Sequence, residues 1–123
     1  MSYTLELSTD RRLATVRHFG VVEGSEFEGI TSEIEGSIEG SLPFLLIDVR
    51  EAVGYPNKAD FLLWLRNRRP RPRVGKIALI TNESYEDTVE FIALASKNSG
   101  FDIEYFHGED DARSWLLETP GPN

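Results

Sequence analysis

Two apolar runs near the middle of the chain, LPFLLIDV at 42–49 and VGKIALIT at 74–81, limit what it can fold into. Neither alternates apolar with polar residues, as a strand with one wet face would. Strands buried on both faces of a parallel sheet read this way. Parallel neighbours need a crossover between them, and it is right-handed in nearly all cases. The segment 59–69, between the two runs, has the helical pattern that such a crossover needs.

The remaining elements fit the same frame. Thr4 to Ser8 alternates, Leu13 to Phe19 is a second β-rich run, and the short link Thr9-Asp10-Arg11-Arg12 makes the pair an opening hairpin, ended by Gly20. Residues 25–39 carry Phe27, Ile30, Ile34 and Ile38 on one helical stripe, and Glu26, Glu28, Glu33, Glu35 and Glu39 fall on its solvated side. Ser84 reads as an N-cap, with Asp87 three residues on, and Tyr85, Val89, Ile92 and Ser96 keep helical spacing up to Gly100. Phe101 to Phe106 is a last strand. Glu109, Asp110 and Asp111 open a last helix, where acids suit the positive end of the dipole, and Ala112, Trp115 and Leu116 form its buried stripe. The expectation is an α/β fold: a single sheet, mostly parallel with an N-terminal antiparallel hairpin, flanked by about four helices. Residues 1–118 form one domain, and 119–123 a flexible tail. Leu45, Ile47, Ile77, Leu79 and Trp115 are expected to share one core.

Composition excludes several functions. The chain has no cysteine, which removes disulfides, thiolate nucleophiles and cysteine-ligated metals. Its start, MSYTLELSTD, is unlike a signal peptide, and no apolar run approaches the roughly 20 residues that span a bilayer. A cytoplasmic location is expected, with no transmembrane segment. The formal net charge is -8, but it is uneven. Residues 1–60 hold five basic and 11 acidic side chains, 61–76 six basic and none acidic, and 77–123 two basic and ten acidic. The far field repels polyanions, so nucleic acid is not an expected partner.

No GxGxxG, Walker loop, GxSxG or HExxH occurs, and no nucleophile is paired with a base. His18 and His107 lie on separate strands and read as packed or surface residues. No metal site or cofactor is expected, and the chain is not expected to be an enzyme. Two surfaces remain. Ligands of open α/β sheets bind outside the carboxyl ends of the strands, which makes Asp48, Arg50, Glu51, Tyr55, Thr81, Asn82 and His107 a candidate binding rim. The other surface is the basic stretch RNRRPRPRVGK at 66–76. Phe61 to Leu65 are five consecutive apolar residues. Phe61, Leu62, Trp64 and Leu65 share one broad helical face, and Leu63 falls outside it. Pro70 stops this helix, and Pro70 and Pro72 hold Arg69 and Arg71 extended. Leu63 with Arg66, Arg68, Arg69, Arg71 and Arg73 forms a candidate anion or partner docking patch. The plainer reading is that these cations cap a helix C-terminus.

Three stretches, PFLLIDVR, RVGKIALITNESYEDTVEFI and FDIEYFHGEDDARSWLLE, taken in order, resemble the SpoIIAA-like family, relatives of the STAS domains of anti-sigma-factor antagonists and anion transporters. The resemblance spans about residues 3 to 118. It implies a small sheet flanked by helices and used for binding rather than catalysis; some members are discussed alongside the CRAL-TRIO lipid-binding fold. Bacterial antagonists carry a phosphorylatable serine after the strand matching LLIDV. Here the segment 50–57, REAVGYPN, has no hydroxyl except Tyr55, so a phosphorylation-switched antagonist of the usual kind is not expected. The expected function is a non-enzymatic binding or regulatory module with a protein partner. The alternative is a small-molecule domain holding an anionic or lipid ligand near the helix at 59–69, and a small enzyme ranks third. A homo-oligomer is compatible with all three.

Overall fold

The computed structural model describes residues 3–10, 12–21, 33, 42–54, 59, 62–63 and 74–118. Strands β1 (Tyr3–Leu7) and β2 (Leu13–Val21) pair antiparallel, with Tyr3 opposite His18 and Leu7 opposite Ala14. Side chains tie their turn: the Ser8 hydroxyl donates to Asp10 Oδ1 at 2.6 Å and accepts the Leu13 amide at 3.0 Å. Strand β3 (Leu42–Gly54) then lies parallel to β2, β4 (Val74–Ile80) parallel to β3, and β5 (Asp102–Phe106) parallel to β4. The five strands stand in chain order, so the sheet is mixed only at its first pair.

Two α-helices are described, α1 (Glu86–Asn98) and α2 (Glu109–Leu117), rather than the expected four or so. The helices expected over 25–39 and 59–69 lie outside the described residues, except that Glu33, Ala59, Leu62 and Leu63 are helical. Helix α1 ends as its sequence requires: the Gly100 amide donates to Lys97 O at 3.0 Å, with Gly100 at a φ of 99° that suits glycine. Its start corrects the expectation. Tyr85, not Ser84, holds the N-cap position of α1 and makes no side-chain capping bond; Asn82 Oδ1 accepts the Ser84 amide at 2.9 Å and caps a short 3-10 turn, Glu83–Tyr85, that precedes α1. Two residues of favourable capping type stand close together, and the capping bond falls to the first, at the start of the inserted turn.

The sheet has an apolar core on each face, as its unalternating strands require. Val89 and Ala93 of α1 pack with Ala14, Val16, Leu45, Ile77, Leu79 and Ile103. On the other face, Ala112 and Leu116 of α2 pack with Leu46, Ala78 and Ile80, joined by Phe44, Phe106 and Trp115. Trp115 is therefore not in one core with Leu45, Ile47, Ile77 and Leu79; it sits across the sheet from them. Lys76 points onto the same side as Trp115, with Nζ 4.6 Å from its ring centroid, and donates to the Trp115 carbonyl at 2.9 Å. One cation of the basic stretch thus satisfies a helix C-terminus. Gly75 admits the opening of β3, because a Cβ there would stand 2.5 Å from the Pro43 carbonyl oxygen. No helix among the described residues is long and apolar enough to cross a membrane.

Leu79 is buried in the middle of β4. Leu79→Ala is expected to lower the unfolding free energy in urea by about 2–5 kcal/mol through lost burial and a residual cavity. An unchanged midpoint would mean that β4 is not a central strand.

Candidate functional site

The apolar character of β3 breaks at Asp48, near the point where β1 and β4 stop. The β1 ladder reaches His18, and the β4 ladder pairs Ile80 with Asp48. In register, Asp48 faces Arg17 of β2, while Arg50 is two residues on along β3. The Asp48 side chain is only 8% exposed, so its charge needs partners. It has four. Oδ1 accepts the Arg50 amide and Arg50 Nε, both at 3.0 Å. Oδ2 accepts Arg17 Nη1 at 2.7 Å and Arg50 Nη2 at 2.8 Å.

A second carboxylate completes the group. Gly108 precedes α2 in extended backbone and places Glu109 as its first residue, beside the same arginines. Glu109 Oε1 lies 3.2 Å from Arg17 Nη2 and 3.6 Å from Arg50 Nη2, and Oε2 accepts Arg113 Nε at 2.8 Å. Three guanidiniums, from β2, β3 and α2, therefore surround one carboxylate. Burial pushes the Asp48 carboxyl up, but the side-chain and backbone hydrogen bonds from Arg50, with the charges of Arg50 and Arg17, outweigh it and hold it below its ordinary 3.8. Glu109 is held below 4.5 by its hydrogen bond from Arg113, against burial and with help from Arg17. The hydrogen bond to Asp48 raises Arg50 further. Both acids are thus fixed as anions with their acceptor sites engaged, which suits structure and binding and does not suit a general base poised near neutral pH.

The other rim residues divide. Asn82 joins the group, its Nδ2 donating to the Arg50 carbonyl at 3.0 Å. Glu51 is exposed beside Arg50. Thr81 is fully buried; its amide donates to Phe106 O at 2.9 Å and its hydroxyl to Asn82 O at 3.2 Å, so it frames the rim without lining it. His107 is exposed and pairs instead with Glu86 of α1 at 2.6 Å, next to Tyr105, whose hydroxyl donates to Glu90 at 3.0 Å. Tyr55 and the arginines at 66, 68, 69, 71 and 73 lie outside the described residues. Leu63 is exposed, and so is Leu62, which the helical phase had put on the buried side. Among the described residues no group of three or more His, Asp or Glu is placed to hold a metal ion.

Arg17, Glu109 and Arg113 are not among the rim residues expected from the sequence. Glu109 and Arg113 carry a legible signal, an i,i+4 pair of opposite charge at a helix start. Arg17 carries none, because only the register of β2 on β3 brings it to Asp48. Beyond this cluster β2 and β3 continue together, Phe19–Val21 against Glu51–Gly54, through two register shifts, with Gly20 at a φ of 66°. Gly20 therefore does not end β2, and the segment after Asp48 is strand as far as Gly54. This extension carries Phe19, Val21 and Val53, which are 43%, 53% and 65% exposed.

No family model matches the chain, and no curated protein does. Among solved structures, it matches that of an uncharacterized protein of the DUF3478 family with a SpoIIAA-like fold from Shewanella loihica PV-4. The TM-score is 0.60 at 23% identity, covering 94% of this chain and 93% of that one. The fold is SpoIIAA-like. At this identity the likeness establishes architecture, and the site chemistry rests on the residues described above.

The two depressed carboxyls give a signed prediction. Their folded pKa values lie below the ordinary ones, so their stabilisation is complete above about 4.5 and is lost as pH falls through the folded values. Urea midpoints are expected to drop steeply below pH 4.5 in the wild type. The Asp48→Asn protein should be less stable at neutral pH and lose less on acidification. An acid limb of equal slope in both proteins would show that Asp48 is not held ionised by the arginines.

Proposed function

We propose that this SpoIIAA-like chain is a non-enzymatic binding or regulatory module that docks a protein partner on the carboxyl rim of its sheet. The observation that carries the reading is the juxtaposition at that rim: a rigid arginine–carboxylate cluster beside the exposed Phe19, Val21 and Val53. Protein interfaces combine apolar area with arginine in this way, because the planar guanidinium binds in a fixed plane and its stem covers apolar surface. The four hydrogen bonds that Asp48 accepts support a binding rather than a catalytic part for that acid. The apolar side chains at Leu62 and Leu63 face outward, which favours a docking surface over an enclosed pocket for a lipid at the 59–69 segment.

Native mass spectrometry of the chain purified from its own host tests this. A protein should be retained by the wild type and lost from the Phe19→Ser, Val53→Ser double variant. Exposed sites away from core and caps alter stability by only about 0.5 kcal/mol, so its melting temperature should hold. A retained lipid or metabolite, with no protein, would overturn the proposal.

A further inference from the structure

The rim holds a carboxylate where a ligand's anion would sit. Glu109 is approached by Arg17 at 3.2 Å, Arg50 at 3.6 Å and Arg113 at 2.8 Å, and its side chain is 27% exposed. These three cations come from separate elements, so the convergence is a property of the fold and not of one helix face. Asp48 also anchors Arg50 through Nε and Nη2, and Arg17 through Nη1, by contacts that do not involve Glu109. Arg113 has no such anchor and meets Glu109 through Nε alone. Its two terminal amino groups, and Nη1 of Arg50, have no hydrogen-bond partner among the described residues.

We propose that Arg17, Arg50 and Arg113 form an oxyanion site for a phosphate monoester, occupied in this structure by the chain's own Glu109. The proposal rests on the rim as the binding face and adds the chemistry recognised there. The arithmetic of charge selects the ligand class. Three guanidiniums against Asp48 and Glu109 leave one positive charge; removing Glu109 from the cluster leaves two. The exposed Glu51 adds its field at Arg50, which trims this surplus without filling a donor. A free monocarboxylate offers no more than Glu109 does and must compete with a group tethered at high effective concentration. A phosphate monoester carries about -1.5 to -2 and three acceptor oxygens, one for each guanidinium, and can displace the tethered acid. Glu109 is the first residue of α2, so its release also frees the sheet-side tie of that helix start.

The test uses the full chain, isotope-labelled, titrated by NMR with inorganic phosphate, and with acetate and chloride at matched ionic strength. Phosphate should shift the resonances of residues 17, 50 and 109 and bind more tightly than acetate. Glu109→Gln should strengthen phosphate binding on the order of tenfold, within the usual range for coupled sites. Adding Arg113→Gln to that variant should erase the gain, and this second change removes no contact to Asp48. Far-UV circular dichroism checks that both variants are folded. A short phosphoserine peptide, run in parallel, identifies the source: tighter binding than inorganic phosphate marks a phosphorylated protein, and equal binding marks a small phosphate ester. Unchanged phosphate affinity in Glu109→Gln, or acetate binding as tightly as phosphate, would overturn the proposal. Phosphate binding with no retained protein would leave this inference standing and sink the partner reading, while a retained protein with no effect of Glu109→Gln would do the reverse.

Discussion

Strand β3 is paired on both edges and covered on both faces, and the rest of the molecule is arranged around that constraint. Its amides and carbonyls are taken up by β2 and β4, and its side chains enter the core that holds Val89 and Ala93 of α1 on one face and the core of α2 on the other. Only apolar residues are at home there, which is why LPFLLI precedes the first charge. Asp48 falls where the β4 ladder ends, and at that point the strand can carry a polar group only if it is answered locally. An uncompensated buried carboxylate would cost several kcal/mol. Arg17, opposite in register, and Arg50, two residues on, supply the answer, and they in turn hold Glu109 at the start of α2. The rim cluster is thus the way the sheet ends its buried part, and the same cluster ties β2, β3 and α2 together.

What could be read from the residues, and what could not, follows from that geometry. Unbroken apolar runs identify β3 and β4 as central parallel strands, and the short polar link from Thr9 to Arg12 marks the hairpin. The acids at Glu109 to Asp111 and the stripe of Ala112 and Leu116 place α2 correctly. Unbroken runs do not say which helix covers which face, because both parities are apolar. The pattern therefore does not separate Leu79 from Trp115, although Leu79 packs on the α1 side of the sheet and Trp115 with Phe106 and Phe44 on the other. Arg17 is hidden for a related reason. Its partner lies 31 residues away, and the pairing depends on a strand register that no local pattern expresses. The start of α1 is hidden on a smaller scale: Asn82 and Ser84 are both suited to cap, but Asn82 caps the inserted 3-10 turn and α1 begins after Tyr85.

The charge distribution is easier to understand with the contacts in view. Lys76, the last cation of the basic stretch, lies over Trp115 and closes the carboxyl end of α2, so at least part of that stretch is structural. At the other end of α2 the arginines are functional candidates, because they are half-exposed and organised around acids rather than dispersed. Both ends of one short helix are therefore held to the sheet by cations, at the C-terminus through a carbonyl and at the N-terminus through Glu109. The overall negative charge does not oppose a local anion site, since screening limits the far field to about 10 Å at moderate salt while direct guanidinium contacts act at about 3 Å.

The cluster also bears on how such a module could be regulated. The bacterial antagonists related to the SpoIIAA-like family are switched by phosphate placed covalently on a serine after the strand matching β3. Here that segment offers no Ser or Thr, and from Glu51 to Gly54 it is itself strand, paired to Phe19–Val21 rather than free as a loop. That segment therefore offers no serine or threonine to such a switch, and its start is held in the sheet. A phosphate arriving on a ligand or partner would act on the same rim without needing an acceptor hydroxyl in the chain, and the force opposing it would be the tethered Glu109. Affinity would then be set by the difference between an internal carboxylate and an external phosphate in one arginine cradle, a difference small enough for single substitutions at residues 109 and 113 to tune while the Asp48 anchor beneath stays intact.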